Sequence, residues 1–186
     1  TRTSRILSIT EKSGGSGQLV FVDVGHETTG ANGVAVRETQ SIVYRGAAAA
    51  DAPLSPPAPG AGSFDASAWH AHRTLRPTEP LLVRYSALTF NSHRIHYDLP
   101  YATAEERYRG LVVHGPLTAT LLLDLARRQL GDNALAGFSF RGLSPAICGE
   151  ALHLVLRGHG AEIELAAFAG DGRQVMAGTA ASGATA

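Results

Sequence analysis

Residues 116–130, PLTATLLLDLARRQL, most restrict what this chain can become. Pro116 at the start and Gly131 just past the end are the asymmetric start and stop of a helix. Between them leucine and alanine fall on nearly every face, so the helix must be enclosed on most sides. The residues that follow can enclose it. ALAGFSFRGL (134–143), EALHLVLRG (150–158), AEIELAAFAG (161–170) and RQVMAGTAAS (173–182) read as four short strands. Gly158-His159-Gly160 and Gly170-Asp171-Gly172 supply tight turns between the last three. Four consecutive antiparallel strands curling around one buried helix is the expected α+β architecture.

Upstream, RILSITEK, QLVFVDVGHE and GVAVRETQSIVYR read as three strands, with a turn at Ala31-Asn32-Gly33. They define a first region, 1–45. Residues 46–63 are rich in Ala, Pro and Gly and read as a mobile linker, within a linking region 46–79. PLLVRYSALTF (80–90) reads as a further strand that opens the main domain, 80–186, and joins 135–182 in the sheet. Thr103 and Glu106 have the spacing of a capping box for a short helix, ATAEERYR.

Composition narrows the function. Sixteen basic and sixteen acidic side chains leave no net field to attract nucleic acid or a membrane surface. The single cysteine, Cys148, excludes an internal disulfide framework. No apolar run approaches a membrane span and no signal-peptide pattern opens the chain, so a cytoplasmic location is the default expectation. His93 with His96, or His70 with His72, are candidate metal pairs, but no third ligand has suitable spacing; no metal is expected.

The chemistry is concentrated in YSALTFNSHRIHYDLPYATAEERYRGLVVHGP, residues 85–116. Asn91 and His96 place an amide and an imidazole five residues apart. His114-Gly115-Pro116 opens the apolar helix, where unpaired N–H groups and the positive dipole end can polarise a carbonyl. Gly115 lets such a carbonyl approach the backbone. A base able to handle water beside a carbonyl-polarising site points to adding or removing water next to an activated acyl group. Each residue also has a plain reading. His96 can satisfy a buried backbone group, Asn91 can fix its own turn, and His114 can pack before the helix. Alternation along an extended segment would put His96 and Asp98 on one face, where Asp98 is either a catalytic partner or a structural acceptor. Arg84, Arg94 and Arg141 are candidate cations for a phosphate or acid group.

The run Phe90, Asn91, Ser92, His93, Arg94, Ile95, His96, Tyr97, Asp98, followed by Val113, His114, Gly115, Pro116, Leu117, resembles the MaoC-like dehydratases. It is most similar to their mesaconyl-C4-CoA and itaconyl-CoA hydratase and hydroxyacyl-thioester dehydratase branch. The resemblance is strong from about residue 84 to 126 and looser on either side. It implies a hot-dog fold, and a double hot-dog whose N-terminal half is incomplete, truncated or proteolysed upstream of Thr1. It also implies a hydro-lyase on an enoyl- or 3-hydroxyacyl-thioester carried by CoA or an acyl carrier, needing no metal or organic cofactor. His96, Asn91 and Gly115 are then the catalytic positions. His114, Arg94, Arg84 and Asp98 are the substrate-binding candidates, with either arginine available to a substrate carboxylate. A homodimer is the expected assembly. The family pattern has an aspartate where this chain has Asn91, and an amide is no general base. That departure keeps two alternatives open: a non-catalytic acyl-thioester-binding subunit, and a hot-dog thioesterase.

Overall fold

Among the described residues there are two α-helices, α1 (Glu79–Thr89) and α2 (Gly115–Leu130), and the apolar helix is α2. The computed structural model describes residues 1–14, 17–160 and 162–183. They fall into two units, 1–48 and 49–186.

The first unit is a three-stranded antiparallel meander of β1 (Arg2–Gly14), β2 (Gly17–Gly30) and β3 (Gly33–Arg45). Ile9, Val22 and Ile42 lie in one cross-strand row. At the neighbouring row Asp23 accepts from the hydroxyls of Ser8 (2.8 Å) and Ser41 (2.5 Å).

The second unit holds a five-stranded antiparallel sheet. Its strands are β4 (Ala71–Leu75), β5 (Leu135–Gly142), β6 (Leu152–His159), β7 (Glu162–Ala169) and β8 (Gln174–Ser182), in the order β4-β6-β7-β8-β5. The last four match the strands expected from the sequence. Helix α2 packs on β4, β6 and β7. Leu117, Leu122 and Leu125 on the helix meet Leu152, Leu154, Ile163 and Leu165 in one continuous core. Asp124, also on α2, accepts from Arg73 on β4 (2.8 Å) and from Arg127 and Arg128 one turn on.

Three expectations are corrected. The fifth strand is 71–75, inside the region expected to be a linker, and residues 80–89 lie in helix α1. Pro80 sits in its first turn, where a missing N–H costs nothing, and Thr78 is extended at the N-cap. The chain leaves α1 through Phe90, whose φ of 53° is left-handed, while the Asn91 N–H reaches back to Ser86 O (2.9 Å). Residues 49–64 are not a free linker. Ser55 exchanges backbone bonds with Arg107 and Arg109 (2.7 and 2.8 Å), and Phe64 N–H donates to Gly170 O (3.1 Å). A Cβ on Gly62 would come within 2.7 Å of Asp171 O, so only glycine fits this close approach. Finally, the expected capping-box helix is a five-residue π-helical turn, Tyr101–Glu105, in which the Thr103 hydroxyl donates to Leu99 O (2.9 Å) rather than capping.

A strand over 80–90 would turn Leu82 and Leu88 to the same side, whereas the helix turns Leu82 into the core (0% exposed) and Leu88 to solvent (80%). Leu82→Ala should therefore cost about 2–5 kcal/mol in denaturant unfolding, and Leu88→Ala less than about 0.5 kcal/mol. Equal losses would contradict the helix.

Candidate active site

The motif residues converge where the end of α1, a tight 3-10 turn at Arg94–His96, and the start of α2 meet. The segment leading into α2 is pinned on two sides. Val112 N–H donates to Ile95 O (2.9 Å), and Val113 N–H donates to Ala146 O (2.9 Å).

His96 is buried, 6% exposed, and its Nδ1 lies 2.7 Å from Val112 O. A carbonyl oxygen only accepts, so Nδ1 carries the proton and the Nε2 lone pair is left available. Burial lowers the His96 pKa below its ordinary value, against the backbone bond to Val112, which raises it. At neutral pH His96 is therefore a neutral base. Its ring stacks on that of His114, with centroids 3.5 Å apart and planes 17° apart. His114 is 1% exposed, and its Nε2 lies 2.8 Å from Ser86 Oγ on α1. Burial, then the neighbouring His96, push His114 down to about 4.

Asn91 Oδ1 accepts from His93 N–H (2.9 Å), an Asx turn that holds the loop and leaves the amide NH2 for other partners. Asn91 lines a hollow of about 460 Å³ with Val83, Ser86, Ala87, Phe90 and Tyr97. The Tyr97 hydroxyl donates to Ser92 O (2.7 Å) and closes the turn beneath it. Gly115 is exposed at the first position of α2, and a Cβ there would meet nothing within 4 Å. Pro116 offers no N–H, so the donor presented by this helix start is chiefly Gly115 N–H. A second hollow, of about 510 Å³, lies on the three-stranded sheet beside Arg5, His26 and Arg37 and contains none of the motif residues.

Two readings from the sequence change. The tight turn at Arg94–His96 breaks the alternation that would have paired Asp98 with His96. Asp98 instead accepts from Arg94 Nε and Nη2 (2.9 and 2.7 Å) and from Tyr101 N–H (3.1 Å). The Tyr101 N–H, then Arg94, hold the Asp98 carboxyl below its ordinary value. Arg94, so engaged, also lies over the Tyr101 ring at 4.2 Å. Arg84 is exposed on α1 and is not among the residues lining the hollow, and Arg141 is exposed on β5. The histidine pairs behave separately: His93 is 5.9 Å from His96 between ring centres, and His72 meets His153 (3.0 Å) rather than His70. Among the described residues no three or more His, Cys, Asp and Glu side chains gather for a metal, and no helix is long and apolar enough to cross a membrane. Ser86 and Val112 were not marked by the sequence; reading 80–90 as a helix, from Thr78 and Pro80, would have set Ser86 facing the core four residues after Leu82.

Residues 1–148 match the family model for hydroxyacyl-thioester dehydratase type 2. The chain belongs to that family. Over 178 residues it is 44% identical to the mesaconyl-C(4)-CoA hydratase of Chloroflexus aurantiacus, covering 96% of this chain and 61% of that protein. It is 42% identical over 83 residues to the mitochondrial hydroxyacyl-thioester dehydratase type 2 of Schizosaccharomyces pombe, 43% of this chain and 27% of that one. The chain thus spans less than two thirds of the length of either relative. A MaoC-like dehydratase from Phytophthora capsici superposes with a TM-score of 0.73 over 100% of this chain and 65% of its own, at 16% identity. That likeness carries the fold alone, and the fold is the hot-dog.

Both stacked histidines titrate below their unfolded value, so the unfolded chain binds protons first as pH falls. Their contribution to stability is present above about pH 6.5 and is lost as pH falls toward about 4, the folded value of His114. His114→Asn should flatten this part of the acid limb in denaturant midpoints measured at several pH values. An unchanged acid limb would show that His114 is not held neutral by burial.

Proposed function

We propose that this chain carries the reaction site of a hydro-lyase that adds water to an enoyl-thioester, or removes it from the 3-hydroxyacyl-thioester. The observation that carries the reading is the His96 Nδ1–H bond to Val112 O, which leaves a neutral, low-pKa Nε2 beside an open helix start. In the hydration direction His96 Nε2 takes a proton from water as its oxygen bonds to the β carbon. Electrons of the α–β double bond move toward the thioester carbonyl, whose oxygen gains charge and is met by Gly115 N–H and the helix dipole. The proton held by His96 then passes to the α carbon, restoring the neutral imidazole. One Asn91 N–H donates to the water oxygen and holds it in line, a task an amide performs without being a base.

The thioester itself makes the α position acidic, so the scheme routes no step through a metal or organic cofactor. Family membership supports the thioester class, and the 44% identity to a mesaconyl-C(4)-CoA hydratase supports a CoA thioester of a small unsaturated acid.

The test is to follow the absorbance of the conjugated thioester with crotonyl-CoA, mesaconyl-C4-CoA and itaconyl-CoA. The intact protein should bleach at least one of them. His96→Ala should lower turnover by roughly a hundred- to ten-thousandfold with an unchanged circular dichroism spectrum. Asn91→Ala should also lower it, and Asn91→Asp should retain more activity than Asn91→Ala. Near-normal turnover in His96→Ala overturns the mechanism.

A further inference from the structure

Ser86 on α1 belongs to none of the motifs, yet it is buried with its Oγ 2.8 Å from His114 Nε2. The direction of that bond follows from what His114 lacks. His114 Nδ1 is buried without a partner. A neutral imidazole carries one proton, and placing it on Nδ1 would strand a buried donor. Placing it on Nε2 strands only a lone pair, the better-tolerated defect. His114 Nε2–H therefore donates to Ser86 Oγ. The serine's own proton sits on a hydroxyl that rotates, and Ser86 borders the open hollow.

The use of this bond lies one ring further on. His96 is tied to Val112 O, which decides which of its nitrogens is basic. A hydrogen bond bends by roughly 30° at little cost, so that contact alone lets the ring rock. His114 supplies the second restraint. It lies flat against His96, with centroids 3.5 Å apart and planes 17° apart, and rings in van der Waals contact leave no room to tilt. The restraint holds only while His114 itself stands still. Helix α1 steadies it from two directions. Ser86 takes the Nε2–H, which points along the plane of the ring, and the Tyr85 ring meets it at 4.9 Å, 64° from parallel.

We propose that Ser86 is a positioning residue for the reaction: by fixing the His114 ring it holds the His96 imidazole at the tilt that aims Nε2 at the water. The assignment rests on the hydro-lyase reading, in which Ser86 touches no reacting atom. A residue of this kind acts on the chemical step rather than on thioester binding, so its loss lowers kcat and leaves KM near its wild-type value. It acts only through His114.

The experiment measures kcat and KM on whichever of crotonyl-CoA, mesaconyl-C4-CoA and itaconyl-CoA the wild type hydrates. The variants are Ser86→Ala, Ser86→Thr, His114→Phe and the double variant of Ser86→Ala with His114→Phe. Ser86→Ala should lower kcat roughly tenfold and hold KM within about twofold. Ser86→Thr, which keeps the hydroxyl, should recover most of the loss. His114→Phe keeps a ring and removes both nitrogens, so on that background Ser86→Ala should cost less than about twofold. Nuclear magnetic resonance of the resting protein reads the same link without turnover. In wild type His114 should carry its proton on Nε2, and the stacked ring should shift the His96 ring protons upfield. Ser86→Ala should move those protons back toward ordinary values, and Ser86→Thr should not. Wild-type kcat in Ser86→Ala, with or without lost stability, overturns the proposal. So do losses that multiply in full in the double variant, or His96 resonances that Ser86→Ala leaves unmoved. Wild type that hydrates none of the three thioesters overturns the hydro-lyase reading itself, while the resonances still judge whether Ser86 fixes the ring.

Discussion

The bond from His96 Nδ1 to Val112 O, 2.7 Å long, is the contact on which the site depends. It joins the turn that carries the base to the segment that delivers the start of α2, and it fixes which nitrogen is basic. Without it the imidazole could rotate or change tautomer, and the separation of base from carbonyl-polarising N–H would be undefined. The neighbouring backbone bond, Val112 N–H to Ile95 O, makes the attachment two-sided. The geometry of the candidate site is set by main-chain atoms, which tolerate side-chain change around them.

The fold elements legible in the sequence are those with strong punctuation. Helix α2 has Pro116 and Gly131 at its ends, and strands β6, β7 and β8 are separated by glycine turns whose left-handed residues include Gly158, Gly160 and Gly172. Helix α1 was illegible because Leu81, Leu82, Val83 and Tyr85 crowd apolar residues into eleven positions, where strand and helix periodicities coincide. The short strand β4 was hidden for the opposite reason. AHRTL has too few apolar residues to announce itself, and it is held by its ladder with β6.

The same error spread into the site. His96, Asn91 and Gly115 were visible as motif residues, because their types and spacing carry the chemistry directly. Ser86 was invisible once its segment was read as a strand, since only a helix sets it four residues from Leu82 on the buried side. Asp98 was misplaced because alternation presumes an extended chain, and the turn at Arg94–His96 rotates the backbone between the two residues. Val112 contributes only a carbonyl, and no side-chain pattern reveals a backbone acceptor sixteen positions away.

The stack of two imidazoles has a consequence for the charged moment of the proposed reaction. In the proposed scheme His96 becomes a buried cation whenever it holds a proton, and His114, held neutral, lies face-on with its ring centroid 3.5 Å away. A neutral ring presents its π cloud to that cation and attracts it. His114 in this sense works as an electronic cushion. Held neutral by burial, it offsets part of the penalty that burial imposes on its neighbour whenever that charge appears.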